Sequence, residues 1–291
     1  MVSTFDNGTI RVQGAGRFSP VRTFECGQCF RWFPDKNGGY TGVAFGKAAN
    51  IKECNGDIYI TCQERDFHEL WRSYFDLDRD YDALDNTFCT DDFMERAVRF
   101  SSGMRILRQE PWEALISFIL SQCNNIKRIR SIISTLCSIA GGKIVFLGGA
   151  YDTFPGPLEI ASLGQSELQR LKAGYRAPYI VEAGKAVLAG DIDFEKLRTL
   201  STEDARREVM RLPGVGEKVA NCFLLFGLQK LDAFPVDVWI KKAMAFHPAI
   251  SPSRFGEFAG IAQQYIFYYA RETGLKIRRP DGEGDGALSC V

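Results

Sequence analysis

Leu212-Pro213-Gly214-Val215-Gly216-Glu217-Lys218-Val219-Ala220-Asn221-Cys222, followed by Phe234-Pro235-Val236-Asp237-Val238-Trp239, is the stretch from which the rest of the chain is read. Gly214 and Gly216 can take positive φ at little steric cost, and Pro213 fixes the entry. The pattern predicts a tight hairpin that delivers free N–H groups at the start of a helix. Those groups, with the helix dipole behind them, bind an anion such as a DNA phosphate. Such a grip carries no sequence information. A helix–helix turn without a ligand is the plainer alternative.

Lys218 falls in the first turn of that helix, where a cation opposes the dipole, so helix stability does not account for it. A lysine that is neutral part of the time is a nucleophile and can form a Schiff base with a sugar carbon. A surface lysine is the other reading. Cys222, four residues on, shares its helix face. Pro235 holds Phe234 extended, and Asp237 then reads as the N-cap of a helix from Val238 to Ala245. A capping carboxylate beside a nucleophilic amine could also stabilise a cationic sugar.

The 291 residues are enough for one large or two to three small domains, and 45% are apolar, as in ordinary globular proteins. No apolar run approaches the roughly 20 residues of a membrane span, and the N-terminus lacks a signal pattern. The expectation is an intracellular protein with no membrane role. The 36 basic and 36 acidic side chains cancel, which does not announce a nucleic-acid partner. Residues 1–90 carry 10 Lys/Arg against 13 Asp/Glu, and the remainder 26 against 23. Arg96, Arg99, Arg105, Arg108, Lys127, Arg128 and Arg130 lie close in sequence and read either as solvated helix faces or as a basic stripe. Among nine cysteines, Cys26 and Cys29 form the one C-x-x-C. A zinc site would want a second pair, and the tail lacks the cysteine cluster of an iron–sulfur site. Reduced structural thiols are expected.

Residues 1–90 read as an antiparallel β domain. Short β-prone runs at Ile10–Val12, Phe30–Phe33, Tyr40–Phe45 and Ile58–Thr61 are separated by turns at Asn37-Gly38-Gly39 and Asn55-Gly56-Asp57. Residues 91–272 read as helical. Pro111 opens a buried helix through Leu120, and isoleucines from Ile126 to Ile133 continue the helical period. Further helices are expected at Leu163–Leu171 with Gly174 as C-cap, Tyr179–Leu188, Asp193–Leu200, Thr202–Arg211 and Phe258–Arg271. Residues 273–291 read as a flexible tail.

Leu-Pro-Gly-Val-Gly-x-Lys with Pro-Val-Asp resembles the signature of the helix-hairpin-helix DNA glycosylases, and the chain resembles the 8-oxoguanine DNA glycosylases among them. Cys26-Gly27-Gln28-Cys29-Phe30-Arg31-Trp32, Arg108-Gln109-Glu110-Pro111, Asn124-Asn125-Ile126-Lys127-Arg128-Ile129, Gly174-Tyr175-Arg176-Ala177 and Ala259-Gly260-Ile261-Ala262-Gln263 with Phe267 carry the narrower likeness, in order, over most of the chain. It implies an α+β fold, with an N-terminal antiparallel sheet beside two helical subdomains and a cleft between the helical parts. It implies excision of 8-oxoguanine from duplex DNA and nicking by β-elimination, by a monomer needing no cofactor. Lys218 would attack C1′ and Asp237 would assist. The Gly27 carbonyl would accept the N7–H that guanine lacks. Gln263 would read the Watson–Crick edge, with Phe267 and Cys222 on the two faces of the purine. Tyr175 would wedge into the duplex, Arg128 and Arg176 would meet the orphaned cytosine, and Asn124, Asn125, Gly214, Gly216 and Val238 would contact DNA. Carbonyls of Met210, Leu212 and Val215 would hold a monovalent or calcium-like cation.

Two positions depart from the family pattern. Cys123 stands where the family often has the first of three asparagines, and a thiol cannot replace an amide's paired donor and acceptor. Looser reading of the opposite base is expected. Trp239 stands where a histidine is frequent. The other readings are a glycosylase for a different lesion, against which Lys218 counts, a non-catalytic hairpin module that binds DNA, and a structural protein with an incidental hairpin.

Overall fold

The computed structural model describes residues 1–275. Six antiparallel strands form one sheet: β1 (Val2–Asp6), β2 (Thr9–Gln13), β3 (Trp32–Pro34), β4 (Tyr40–Ala44), β5 (Lys47–Cys54) and β6 (Asp57–Thr61), in the order β1-β2-β6-β5-β4-β3. Alternation selects the buried face: Ile10 and Val12, Ala49 and Ile51, and Ile58 and Ile60 point inward. Trp32 lies opposite Gly42 in the register, and a Cβ there would fall 2.3 Å from the indole. That vacancy lets Trp32 lie flat under the sheet, stacked on Phe24 at 4.6 Å and donating to the Tyr74 hydroxyl at 2.9 Å.

The longer helices are α1 (Tyr81–Phe88), α2 (Asp92–Phe100), α3 (Pro111–Leu120), α4 (Ile126–Ala140), α5 (Ala177–Ala189), α6 (Thr202–Val209), α7 (Glu217–Leu228), α8 (Val238–Phe246) and α9 (Ala259–Thr273). Every residue of α3 from Trp112 to Leu120 is buried. It packs against α7, itself buried from Val219 to Leu228. Gly260 brings α9 close to α7, since a Cβ there would lie 2.4 Å from Leu225 Cδ1 and 2.7 Å from the Ala233 carbonyl. No helix among the described residues is long and apolar enough to cross a membrane.

The apolar interior divides in two. One cluster fills the sheet and its covering helical turns, and the other joins the helices. The segment after Phe24 runs along their boundary. Cys29 and Trp32 belong to the sheet core, Cys26 and Phe30 to the helical core. The described cysteines are free thiols.

Several boundaries differ from the sequence reading. The third strand begins at Trp32, because Cys26–Arg31 is spent on the boundary loop. Residues 64–88, assigned to the β domain, are largely helical. A hairpin of β7 (Lys143–Phe146) and β8 (Gly149–Asp152) was not anticipated. The segment expected as one helix from Leu163 starts at Gln165, and Lys172 at φ +52° rather than Gly174 is its C-cap. Helix α9 extends to Thr273, so the predicted tail starts too early; residues 276–291 lie outside the described residues. The arginine run is solvated only in part: Arg96, Arg99, Lys127 and Arg128 are exposed. Arg105 is fully buried and bonds the carbonyls of Ala15, Arg17 and Asp76; Arg108 pairs with Asp76 and Arg130 with Glu25.

Arg31 braces the boundary loop. Its buried guanidinium pairs with Glu113 of α3 at 3.1 Å and donates to the Asp152 carbonyl of β8. Burial pushes the Glu113 carboxyl up, against the pull of Arg31. Leaving one charge buried alone is costly. Glu113→Ala should cost about 3–5 kcal/mol in urea unfolding, whereas Arg31→Met with Glu113→Leu should recover most of that loss. Equal destabilisation in the single and double variants would reject the pair as the brace.

Candidate active site

The hairpin between α6 and α7 is a turn in which Val215 N–H donates to the Leu212 carbonyl at 3.1 Å. Pro213 supplies its first central residue and Gly214, at φ +77°, its second, as a type II turn requires. A Cβ on Gly214 would fall 2.2 Å from the Tyr179 ring, so glycine is needed for space as well as for φ. Gly216 caps α7 with no side chain and open space around it. The N–H groups of Gly216, Glu217 and Lys218 have no acceptor among the described residues, which leaves a backbone cradle for an anion.

Lys218 is half-buried, with Nζ 5.7 Å from the centre of the Phe118 ring. Phe118 stacks on Phe226 and meets Phe30 edge-on at 6.0 Å, so the floor under the amine continues into the boundary loop. Cys222 is 4% exposed. Burial pushes its thiol up; the charge of Lys218 opposes this, Asp237 adds to it, and a hydrogen bond with Lys218 opposes it. Amine, thiol and carboxylate therefore share one neighbourhood. Asp237 caps α8, accepting from Trp239 N–H at 3.0 Å and Ile240 N–H at 2.9 Å. Both bonds end on Oδ1, and Oδ2 has no hydrogen-bond partner among the described residues. No ion pair joins Lys218 to Asp237 among the described residues, so the amine stays free to reach a substrate. Val238, 65% exposed, begins α8 with its N–H unspent.

Gly27, in the boundary loop, is held at φ +83°. The carbonyls around it are occupied by side-chain donors: Thr23 by Gln28 at 2.8 Å, Phe24 by Arg130 at 3.1 Å, Glu25 by Arg271 at 2.7 Å, Cys26 by Gln264 at 2.9 Å, and Gln28 by Gln109 at 2.6 Å. The Gly27 carbonyl alone in this run accepts no hydrogen bond among the described residues. A Cβ on Gly27 would touch Arg271 Nη1 at 3.4 Å, Ile126 Cδ1 at 3.5 Å and Phe267 Cε1 at 3.7 Å. Gln263 and Phe267 lie one turn apart on α9. Gln263 is 3% exposed, and its Oε1 is buried without a partner. A buried unpaired amide oxygen is costly and marks a position awaiting a donor.

The third group of candidate residues lies at the turn before α4. Asn125 caps α4 by accepting from Arg128 N–H at 2.9 Å, and Asn124 donates to the Leu120 carbonyl at 3.3 Å. Cys123 is exposed at φ +44°. Tyr175 is 50% exposed, as a wedge would be, with the Arg176 guanidinium 4.3 Å from its ring centre. Arg128 is exposed. Arg176 is not: it is buried, and donates to the carbonyls of Gln122, Cys123 and Ala173. In this conformation it pins the turn and offers no fork to a base. Gln28, Gln109 and Gln264, which orient the loop around Gly27, were not singled out from sequence; buried glutamines in polar-looking segments give no periodic signal.

Residues 12–115 match the family model of the 8-oxoguanine DNA glycosylase N-terminal domain, and residues 116–254 match that of the HhH-GPD superfamily of base excision DNA repair proteins. The chain belongs to the 8-oxoguanine DNA glycosylase family. The probable N-glycosylase/DNA lyase of Methanothermobacter thermautotrophicus is 32% identical over 258 residues, spanning 78% of this chain and 82% of that one. The N-glycosylase/DNA lyase OGG1 of Arabidopsis thaliana is 29% identical over 280 residues, spanning 84% and 75%. Clostridium acetobutylicum 8-oxoguanine glycosylase/lyase, solved with duplex DNA carrying cytosine opposite the lesion, superposes with a TM-score of 0.90 at 35% identity over 94% of this chain and 99% of that one. The expected α+β architecture is thereby met.

Gly214→Ala should weaken binding to a duplex holding an abasic-site analogue by about tenfold or more, through backbone strain and the displaced Tyr179 ring. Fluorescence anisotropy measures it, and an unchanged affinity would rule the hairpin out as the phosphate grip.

Proposed function

We propose that the residues gathered between α7, α8 and the Gly27 loop carry out base excision on duplex DNA. The protein is a base-excision repair enzyme, a DNA N-glycosylase with abasic-site lyase activity, acting on 8-oxoguanine as a monomer. The observation that supports this most directly is that Lys218 and Asp237 both act on the Cys222 thiol, in a chain whose Gly27 carbonyl is left without a partner beside Phe267.

The steps follow from the groups present. The hairpin N–H groups and the N–H of Val238 hold backbone phosphates, and the lesion is flipped from the stack. The Gly27 carbonyl accepts the N7–H of the oxidised base; guanine would present a lone pair there instead. Gln263 binds the Watson–Crick edge, while Phe267 and Cys222 close on the ring faces. Neutral Lys218 Nζ attacks C1′, and the base leaves with the electrons of the glycosidic bond, to be protonated. Asp237 Oδ2 stabilises the positive charge that develops on the sugar. Ring opening at C1′–O4′ gives an imine between Nζ and C1′. Loss of a proton from C2′ then expels the 3′ phosphate, and water hydrolyses the imine to free the enzyme. Tyr175 fills the vacated stack and Arg128 faces the orphaned base, with Asn124 and Asn125 beside it. Arg176 joins Arg128 only by releasing its carbonyls, and the Cys123 thiol supplies no paired donor and acceptor; tolerance of several opposite bases follows.

The hairpin carbonyls also suit a cation. Those of Met210 and Val215 have no hydrogen-bond partner among the described residues, and that of Leu212 keeps one lone pair beyond its bond to Val215. A monovalent or calcium-like ion held there by the three carbonyls would supply positive charge beside the bound phosphate.

Borohydride should trap a covalent protein–DNA adduct on an 8-oxoguanine duplex, and Lys218→Gln should abolish it. An adduct that persists in that variant would reject the nucleophile, and trapping that never occurs with the unmodified protein would favour a binding module. Asp237→Asn keeps an N-cap residue but loses the charge, so unfolding should change little while base release slows on the order of 10²- to 10⁴-fold. Unaltered single-turnover rates would leave Asp237 as a cap alone.

A further inference from the structure

Gln263, Phe267 and Arg271 stand at successive four-residue intervals on α9 and so share one face. The first two meet the lesion in the function proposed above. Arg271 was not among the candidate residues, yet its guanidinium lies 5.4 Å from the centre of the Phe267 ring, and Nη1 is 3.4 Å from where a Gly27 Cβ would stand. Its donors are unequally used. Nε and Nη2 bond the Glu272 carboxylate at 2.8 and 2.7 Å, and Nη2 also bonds the Glu25 carbonyl at 2.7 Å. Nη1 is buried and has no partner.

An arginine end so held cannot swing away to water, because two of its nitrogens are fixed by a carbonyl and a carboxylate. The unpaired, charge-bearing donor lies beside Gly27, whose carbonyl is also unpaired, so a donor and an acceptor share one neighbourhood. The N7–H and C8=O of 8-oxoguanine are the complementary couple on one edge of the base. Guanine has a lone pair at N7 and a C–H at C8, and so fits neither member.

We propose that Arg271 is a specificity-determining residue that donates through Nη1 to the exocyclic O8 of the lesion while the Gly27 carbonyl accepts from N7–H. This rests on the reading of the site as an 8-oxoguanine pocket. A second effect is geometric: the guanidinium packs over Phe267 and thereby fixes the ring that covers the purine.

The two effects separate by substrate. 8-Thioguanine keeps the N7–H but replaces O8 with sulfur, a much weaker acceptor. Single-turnover release of both bases is compared for the full-length protein, Arg271→Leu and Arg271→Lys, with borohydride trapping on a pre-formed abasic site as the control for folding and for Lys218. The expected result is an 8-oxoguanine to 8-thioguanine rate ratio that falls about tenfold in Arg271→Leu, with abasic-site trapping intact, as loss of a charge-assisted hydrogen bond predicts. Arg271→Lys, which keeps a charged donor on a shorter arm, should recover part of the ratio. Equal slowing on both bases, or no slowing on either, would overturn the proposal and leave Arg271 as a support for Phe267 and the loop. Unmodified protein that releases neither base yet binds the duplex would instead refute the enzymatic reading itself.

Discussion

The occupied carbonyls between Thr23 and Gln28 are the constraint on which the site depends. Five of the six accept a side-chain donor, drawn from as far away as α4, α9 and the segment before α3. Each such bond contributes about 0.5–1.5 kcal/mol net, and more where the donor is charged. Their larger effect is exclusion. With every neighbour satisfied, the loop has no alternative pairing to relax into, and Gly27 is held at φ +83° with its carbonyl unspent. Discrimination by one carbonyl demands that rigidity, because the difference between accepting an N–H and facing a lone pair disappears if the carbonyl can turn away.

The loop is placed by the two-core architecture. Cys26 and Phe30 point into the helices, Cys29 and Trp32 into the sheet, so a short segment is anchored from both sides. Phe30 then meets Phe118, over which Lys218 sits. Recognition and chemistry are thus linked through a few buried aromatic contacts. The proposed hairpin grip needs no such link, since it would act on phosphate through backbone N–H groups. Its demands are local: a glycine at Gly214 for φ and space, and an open cap at Gly216.

The sequence made legible what depends on local chemistry. The Pro-Gly turn, the helix after it and the capping role of Asp237 follow from backbone rules, and each is found at the expected residue. The short β-prone runs and their turns located four of the six sheet strands, because half-buried strands carry an alternating pattern. The edge strand Val2–Asp6 and the interior strand Lys47–Cys54 were missed because one is exposed throughout and the other is rich in polar and small residues. Residues 64–88 were absorbed into the β region because short helices give too few turns for a period to emerge. Arg105 and Arg130 were read as solvated and are not, and Arg176, read as DNA-facing, is engaged with carbonyls in this conformation. A guanidinium that bonds several carbonyls can be buried, and nothing in its immediate sequence announces those partners.

The glutamines show the same limit from the side of function. Gln263 and Gln264 are adjacent, equally buried and chemically identical, yet one donates to the Cys26 carbonyl and the other keeps an unpaired buried oxygen. Successive residues on a helix point about 100° apart, so one amide locks the loop while its neighbour's oxygen stays unpaired. Which does which depends on the rotation of α9. That rotation is fixed by Gly260, where the absence of a side chain lets α9 seat against Leu225 and the Ala233 carbonyl. A Cβ at that point would force the helix outward and carry Gln263, Phe267 and Arg271 away from Gly27 together. The placement of that whole face of α9 against Gly27 is therefore set about three turns from its last member, by a residue with no side chain.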